Sequence, residues 1–184
     1  NNKKNLHQIL ECKMVNSRNN FKKNWRSSQC ASYLTYLFHQ TIPENTADIE
    51  FYDLLNQSLD LALNYGEKLY FLIWFELNFT KQQGHKPKLD SCVFCGSKNT
   101  FRFSIRQGGV CCNECIKNKN IYSFPISSDI KNILMFIQDS ENIELLENLK
   151  LTKKQHIDIN LIIGAFMNTT YQLNPRHRNS IIAA

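Results

Sequence analysis

The sequence lacks any hydrophobic run long enough to cross a lipid bilayer. Its longest strongly apolar segment, residues 69–75, has seven residues, whereas a membrane-spanning helix needs about 20. The first five residues, Asn-Asn-Lys-Lys-Asn, also lack the apolar stretch of a secretory signal. We therefore expect a globular protein in the reducing cytoplasm with no membrane partner, where its seven cysteines favour metal binding and free thiols over disulfides.

The short motifs of several large enzyme classes are absent as well. The chain has no Walker-type glycine loop, no Gly-x-Ser-x-Gly and no His-Glu-x-x-His. Its five histidines are scattered, so we expect them to be structural or solvent-facing. The sequence therefore predicts a protein that is not an enzyme.

The sequence does contain two Cys-x-x-Cys pairs, Cys92 with Cys95 and Cys112 with Cys115, separated by sixteen residues. Two such turns joined by a short loop can bring four thiolates to one point, as a tetrahedral metal ion requires. Cys111 competes with Cys112 for the fourth position, but Cys112 repeats the spacing of the first pair and is preferred. Four cysteines fill the coordination sphere, so we interpret the site as structural Zn²⁺ rather than catalytic Zn²⁺.

Helical periodicity surrounds this module on both sides. The third helical segment is apolar nearly all round, which is typical of a helix in the middle of a bundle. The last segment opens with a capping box of Thr152 and Gln155, and the residues expected to face the core are Ile157, Leu161, Ile162, Ala165 and Phe166. The tail 174–179 is expected to be loose, with Arg176 and Arg178 available to anions. The six segments are 20–39, 48–64, 68–83, 127–139, 142–149 and 152–171.

Positive charge is concentrated in two parts of a chain whose net charge is +6. Residues 92–120 carry five basic residues against Glu114 alone, and residues 1–40 carry seven against Glu11 alone. Within the module, Phe101, Phe103 and Ile105 alternate with Arg102, Ser104 and Arg106, which predicts a strand with one apolar and one basic face. Such a distribution favours a polyanionic partner, although a solvated surface would look the same. The candidate nucleic-acid-binding residues are Lys22, Lys23, Arg26, Lys86, Lys88, Arg102, Arg106, Lys117 and Lys119.

A stretch of the chain resembles a known family. An apolar helix is followed by Gly84-x-x-Pro87-x-Leu89, then by Cys92-x-x-Cys95-Gly96, and Gly108-Gly109 precedes the second cysteine pair. This arrangement resembles the middle of the bacterial recombination mediator RecO. The similarity covers most of the chain and is strongest over residues 67–115. Two features depart from the family: its N-terminal oligonucleotide-binding barrel is represented here only by a strand-like segment at 6–10, and Cys111 is an additional thiol.

The resemblance implies a mainly α fold, a helical bundle with an inserted four-cysteine zinc-binding β-hairpin at 89–120. Residues 1–16 would be the remnant of the barrel and residues 17–184 the RecO-like domain. The implied function is non-enzymatic DNA repair in the bacterial cytoplasm, at the nucleoid. RecO proteins bind single- and double-stranded DNA, anneal strands, and with RecR help to load RecA onto DNA coated by single-strand-binding protein. Their helical domain recognises the acidic, apolar C-terminal tail of that coating protein.

Two other classes of function are compatible with the sequence. One is a zinc-ribbon module for transcription or RNA binding, which should show a recognition helix or an exposed aromatic pair. The other is a thiol redox protein that uses Cys111 with a neighbouring cysteine.

Overall fold

The computed structural model describes residues 10–43 and 48–182, and the strand expected at 6–10 lies almost wholly outside this part of the chain. The described residues form a mainly helical bundle with a small antiparallel sheet inserted after the third helix, which confirms the predicted fold class. The strands are β1 (Arg102–Ser104), β2 (Gly109–Cys111) and β3 (Phe124–Pro125), in the order β2-β1-β3. The helices are α1 (Trp25–Thr41), α2 (Ile49–Tyr65), α3 (Leu69–Gln82), α4 (Asn113–Lys119), α5 (Ser128–Asp139), α6 (Lys153–Tyr171) and α7 (Pro175–Ile182), with 3₁₀ helices at Asn19–Lys23 and Ile143–Leu146.

Helix α3 lies at the centre of the bundle, as its uniformly apolar sequence predicts. Ten of its 14 residues are buried, and α2, α5 and α6 pack around it. Phe75 and Phe79 are fully buried and form a ring cluster with Phe38 of α1. The helix ends just before Gly84, whose φ of +73° is a conformation that glycine adopts without strain. None of the helices in the described part of the chain combines the length and apolar character of a membrane span.

The prediction of one continuous helix over 20–39 is wrong at its start. The side chain of Asn24 accepts hydrogen bonds from the N–H groups of Arg26 and Ser27, so α1 begins at Trp25. The preceding residues form a separate 3₁₀ helix that contains Lys22 and Lys23. These two lysines therefore do not lie on the same helix as Arg26, as the predicted continuous helix would require.

The buried face of α6 matches the prediction only in part, since Ile162 and Phe166 are buried as expected but other predicted residues are not. The capping box of Thr152 and Gln155 is present as expected. Ile157 and Leu161, however, are 56% and 54% exposed. The apolar residues of α6 occupy two adjacent stripes, and packing against α3 and α5 selects the stripe about one residue further round the helix. That stripe consists of Ile159, Ile162, Ile163, Phe166 and Met167.

The tail that was expected to be loose forms α7 and carries a buried ion pair. Arg178 is 1% exposed, and its Nε and Nη2 donate to the two carboxylate oxygens of Glu76 at 2.6 and 2.9 Å. Tyr33 donates its hydroxyl to the same carboxylate at 2.7 Å, while Arg178 Nη1 donates to the side chain of Asn160. Gly164 makes room for the guanidinium, since a Cβ atom there would lie 2.8 Å from Nη1. Burial lowers the pKa of Arg178, but the Glu76 carboxylate outweighs it and raises the pKa overall. Arg178 is thus not available to external anions.

Replacing Arg178 with alanine should lower the free energy of unfolding by about 3–5 kcal/mol, because the Glu76 carboxylate would remain buried without its counter-ion. Arg176, which is exposed on the same helix, provides the matched control, and Arg176→Ala should change stability by no more than about 0.5 kcal/mol. Urea denaturation followed by far-UV circular dichroism measures both. Equal stability of the two variants would contradict the assignment of Arg178 to the core.

Candidate metal centre and nucleic-acid interface

The first cysteine pair is fixed by backbone hydrogen bonds to the β-hairpin. The N–H of Lys88 donates to the carbonyl oxygen of Gly108 at 2.9 Å, and the N–H of Val110 donates to that of Lys88 at 2.8 Å. The N–H of Val93 donates to the carbonyl oxygen of Val110 at 2.9 Å. Gly109 permits this approach, since a Cβ atom there would lie only 2.5 Å from the Lys88 carbonyl oxygen. The segment that carries Cys92 is thereby held beside the strand that leads to the second pair.

The second pair lies at the beginning of α4. Cys112 is the N-cap residue of this helix, and its Sγ accepts a hydrogen bond from the Cys115 N–H at 3.4 Å. Cys112 in turn donates its own N–H to Cys92 Sγ at 3.4 Å. Backbone N–H groups directed at sulfur stabilise thiolates, which are the form of cysteine that binds metal ions.

The four sulfur atoms of Cys92, Cys95, Cys112 and Cys115 converge as the sequence predicts. All four lie within 4.8 Å of one another, and Cys95 and Cys112 approach to 3.6 Å. A tetrahedral zinc ion with Zn–S bonds of about 2.3 Å has sulfur–sulfur edges of about 3.8 Å. The spacing therefore fits a tetrahedral ion and is too long for a disulfide, whose sulfur atoms lie about 2.05 Å apart.

The pKa values of the thiols differ within the cluster. Burial raises the pKa of Cys92, but N–H groups of Cys112, Cys95 and Phe94 outweigh it and bring the pKa to about 6. A hydrogen bond with Cys112 is the main cause that raises the pKa of Cys115 to about 12. Neighbouring thiols at this spacing resist ionising together unless a cation compensates their charge. The donor set fits Zn²⁺, which these four residues would hold as a structural ion.

Cys111 lies outside the cluster although it is adjacent to Cys112. Its side chain is fully buried and directed at the Gly109 carbonyl oxygen, 3.8 Å away. Burial is the first cause that raises its pKa to about 11, so the thiol stays protonated at neutral pH. The arrangement leaves Cys112 as the fourth member of the set.

The basic residues predicted outside the module differ in their accessibility. Lys22, Lys23 and Lys88 are exposed. Arg26 is partly buried, with its guanidinium 3.8 Å from Glu67 and over the ring of Trp25. Lys86 forms an exposed ion pair with Asp139 at 3.3 Å.

The predicted strand with a basic outer face is not what the hairpin shows. Ser104 is fully buried, whereas Phe101 is 45% exposed. Arg102 donates its Nε and Nη2 to the hydroxyl and carbonyl oxygens of Ser123 at 2.7 and 2.5 Å. Phe103 and Ile105 are buried as the alternation predicts, but the opposite face is not basic and exposed, because Ser104 is buried as well and Arg102 joins β1 to the segment that precedes β3. Its guanidinium therefore has a structural role.

The three other candidate nucleic-acid-binding residues of the module are exposed. These are Arg106, in the turn after β1, and Lys117 and Lys119, in the last turn of α4. Arg106 and Lys119 line the same groove, together with two aromatic residues that the sequence reasoning missed, Tyr122 and Phe124. The signal was present as two aromatics two residues apart after a short helix, a spacing that places both on one face of an extended segment.

Comparisons with known proteins give a consistent result. A family model described as "Recombination protein O C terminal" matches residues 23–179. The DNA repair protein RecO of Alkaliphilus metalliredigens is 28% identical over 152 residues, which cover 80% of this chain and 61% of that protein. The protein of the same name from Thermoanaerobacter sp. is 25% identical over 96% of this chain and 71% of its own length. That from Bacillus pumilus is 32% identical over 70% of this chain and 50% of its own length.

The chain thus spans about half to seven tenths of the length of these three relatives. No solved structure matches it with significance.

The adjacent thiols Cys111 and Cys112 allow a closely matched test of the metal site. Cys112→Ser should lower the zinc content well below about one ion per chain, because it removes one of four ligands. Cys111→Ser should retain the ion, since its sulfur is not among the four that converge. Zinc released on denaturation, measured with a chelating dye, quantifies both variants, and the helical signal at 222 nm should persist because the bundle has its own core. Equal zinc loss in the two variants would contradict the ligand assignment.

Proposed function

The chain belongs to the RecO family, and from that membership we propose that it acts in DNA repair as part of a non-enzymatic recombination mediator. The observation that carries the proposal is the continuity of the family match. Residues 23–179 include the helical bundle, the four-cysteine cluster and the buried Arg178 at the end of the chain. One match thus covers both the core that stabilises the fold and the module inserted in it.

A structural role for the metal supports the non-enzymatic part of the proposal. Four cysteines occupy every position of a tetrahedral ion, so no position is left for a water molecule or substrate. The two described histidines with clear partners make packing contacts: His177 stacks on Tyr36 with centroids 4.1 Å apart, and His85 packs against Tyr171.

The basic surface of the module is formed by Arg106, Lys117 and Lys119, and its proposed partner is DNA, single- or double-stranded. The chain carries a net charge of +6. Arg106, Lys117 and Lys119 are exposed and form no ion pair with any other described residue. Side chains of this kind bind phosphates and release the counter-ions that surround DNA.

The proposed protein partner is the acidic, apolar C-terminal tail of single-strand-binding protein. A groove on the bundle lies between the start of α1, the α2–α3 turn and α7. Leu69, Leu72 and Ile181 supply apolar surface, and Lys68 and His156 lie at its edge. The groove also contains the ion pair of Arg26 with Glu67, so Lys68 is the cation best placed to meet an incoming carboxylate. Such a surface suits a short peptide that is both apolar and acidic.

The later steps that we propose follow from these two contacts. A protein that holds DNA and the tail of its coating protein at once can bring complementary strands together. With RecR it would help RecA replace the coating protein, so RecA is an indirect partner.

Binding of a labelled oligonucleotide to this chain should weaken steeply as salt is raised. Three phosphate contacts give a slope of about −2 in a plot of log affinity against log salt concentration for a single strand. Fluorescence anisotropy at low and physiological salt measures the slope. Absence of binding even at low salt would contradict the proposed DNA partner.

Binding of the tail peptide and binding of DNA should depend on different residues of this chain. Lys68→Glu should weaken binding of the tail peptide by about tenfold, since it replaces a favourable charge pair with a repulsive one. The same variant should bind the oligonucleotide nearly as well as the unmodified chain, because Lys68 lies outside the basic surface of the module. A peptide of scrambled sequence with the same charge provides the control. Equal affinity of the unmodified chain and Lys68→Glu for the tail would remove the groove from the proposal.

A further inference from the structure

A groove of about 860 Å³ lies between the turn after β1, the end of α4 and helix α6. This volume is within the range of about 300–1,000 Å³ that is typical of ligand sites. Ile105, Ile121 and Ala165 give the groove an apolar lining, and Arg106 and Lys119 lie along it. No acidic residue is among the described residues that line it.

Tyr122 stands at this groove with 79% of its surface exposed. Its ring packs edge-on against Phe124, with centroids 5.5 Å apart and an interplanar angle of 82°. The backbone beneath it is fixed, because Ser104 Oγ donates to the Tyr122 carbonyl at 3.4 Å and Arg102 holds Ser123 through two hydrogen bonds. An aromatic ring positioned in this way loses little conformational entropy when a ligand packs on it.

The positive charges beside the groove are also placed by the fold. Lys119 Nζ lies 5.2 Å from the centroid of the Phe94 ring, which lies within the first cysteine turn. Arg106 is exposed on the hairpin side of the groove. Neither cation forms an ion pair in the part of the chain that the structure describes.

These features together identify the chemistry of the ligand. The two cations require a ligand with separated negative charges, and the exposed ring offers a flat apolar surface. An unpaired nucleic-acid strand has both phosphates and free base faces, whereas the bases of a duplex are already stacked on one another. A neutral small molecule would make no use of the cations.

We propose that this groove binds a segment of single-stranded DNA, with a base stacked on Tyr122 and phosphates contacting Arg106 and Lys119. The proposal rests on the DNA-binding function proposed above and locates one contact surface for it. Tyr122 is the residue that distinguishes this groove from a surface of general positive charge.

Two substitutions of Tyr122 distinguish the contribution of its ring to binding from that of its hydroxyl. Tyr122→Ala should weaken binding of an oligo-dT strand of about 12 nucleotides by about fivefold or more, the loss expected for one base–aromatic stack. Tyr122→Phe keeps the ring and should bind within about twofold of the unmodified chain. Tyr52, which is 66% exposed on α2, provides the matched control, and Tyr52→Ala should leave binding unchanged. Fluorescence anisotropy gives the affinities, and far-UV circular dichroism verifies that each variant is folded.

A strand of the same length made of abasic nucleotides separates stacking from charge. Tyr122→Ala should have no effect on this ligand, whereas Arg106→Gln should weaken both ligands and reduce the salt slope by about 0.7. Oligo-U RNA forms a second arm, in which Tyr122→Ala should cause the same loss, because stacking does not involve the 2′-hydroxyl. A loss confined to RNA would overturn the assignment to DNA.

The outcomes distinguish this proposal from the function on which it rests. If the unmodified chain binds no DNA at low salt, both the stacking groove and the proposed DNA-binding function are overturned. If it binds DNA normally and Tyr122→Ala binds equally well, or weakens the abasic strand to the same extent, the groove is overturned and the DNA-binding function stands.

Discussion

An apolar helix in the middle of a small protein must be covered on every side, and this constraint organises the bundle. Seven consecutive residues of α3, from Phe71 to Leu77, are buried. Helices α2, α5 and α6 cover α3, and the ring of Phe38 brings α1 against it. Covering an apolar surface is favourable in any arrangement that excludes water, since the hydrophobic effect is non-directional. It stabilises the bundle without fixing where each helix must dock.

Glu76 determines where neighbouring helices dock, which the apolar contacts alone do not. It is fully buried in the middle of α3, and its carboxylate must be hydrogen-bonded because an unpaired buried charge is costly. Tyr33 of α1 and Arg178 of α7 satisfy it from two other helices. A buried pair of this kind adds little net stability compared with well-packed apolar residues, because desolvation offsets the Coulombic attraction. Its contribution here is positional: α7 can dock only where the guanidinium reaches Glu76 and fits above Gly164.

The parts of the structure that the sequence predicted are those that depend on local information. Helix periodicity, the capping box of Thr152 and Gln155 and the spacing of the cysteine pairs all act over a few residues. The wrong start of α1 reflects a local cap, Asn24, that the periodicity of residues 20–39 does not reveal. The errors in the roles of two arginines depend on contacts distant in sequence. Arg178 lies 102 residues from Glu76, and Arg102 lies 21 residues from Ser123. No periodic pattern reveals that an arginine has a buried partner, so both were read as available to anions.

The two buried or half-buried arginines change how the charge of this chain relates to a polyanionic partner. Arg102 and Arg178 contribute to the net charge of +6, but the guanidinium of Arg102 is partly buried and bonded to Ser123, and that of Arg178 is buried against Glu76. Within the module, the candidate residues whose charge can reach a phosphate are Arg106, Lys117 and Lys119. The module has about 30 residues and is too small to hold a large core. Rigid placement of these side chains therefore depends on the cysteine cluster, which begins α4, and on Arg102, which fixes the segment before β3. In the proposed arrangement the four-cysteine cluster and Arg102 make no contact with DNA, and they contribute by holding Arg106, Lys119 and Tyr122 at one groove.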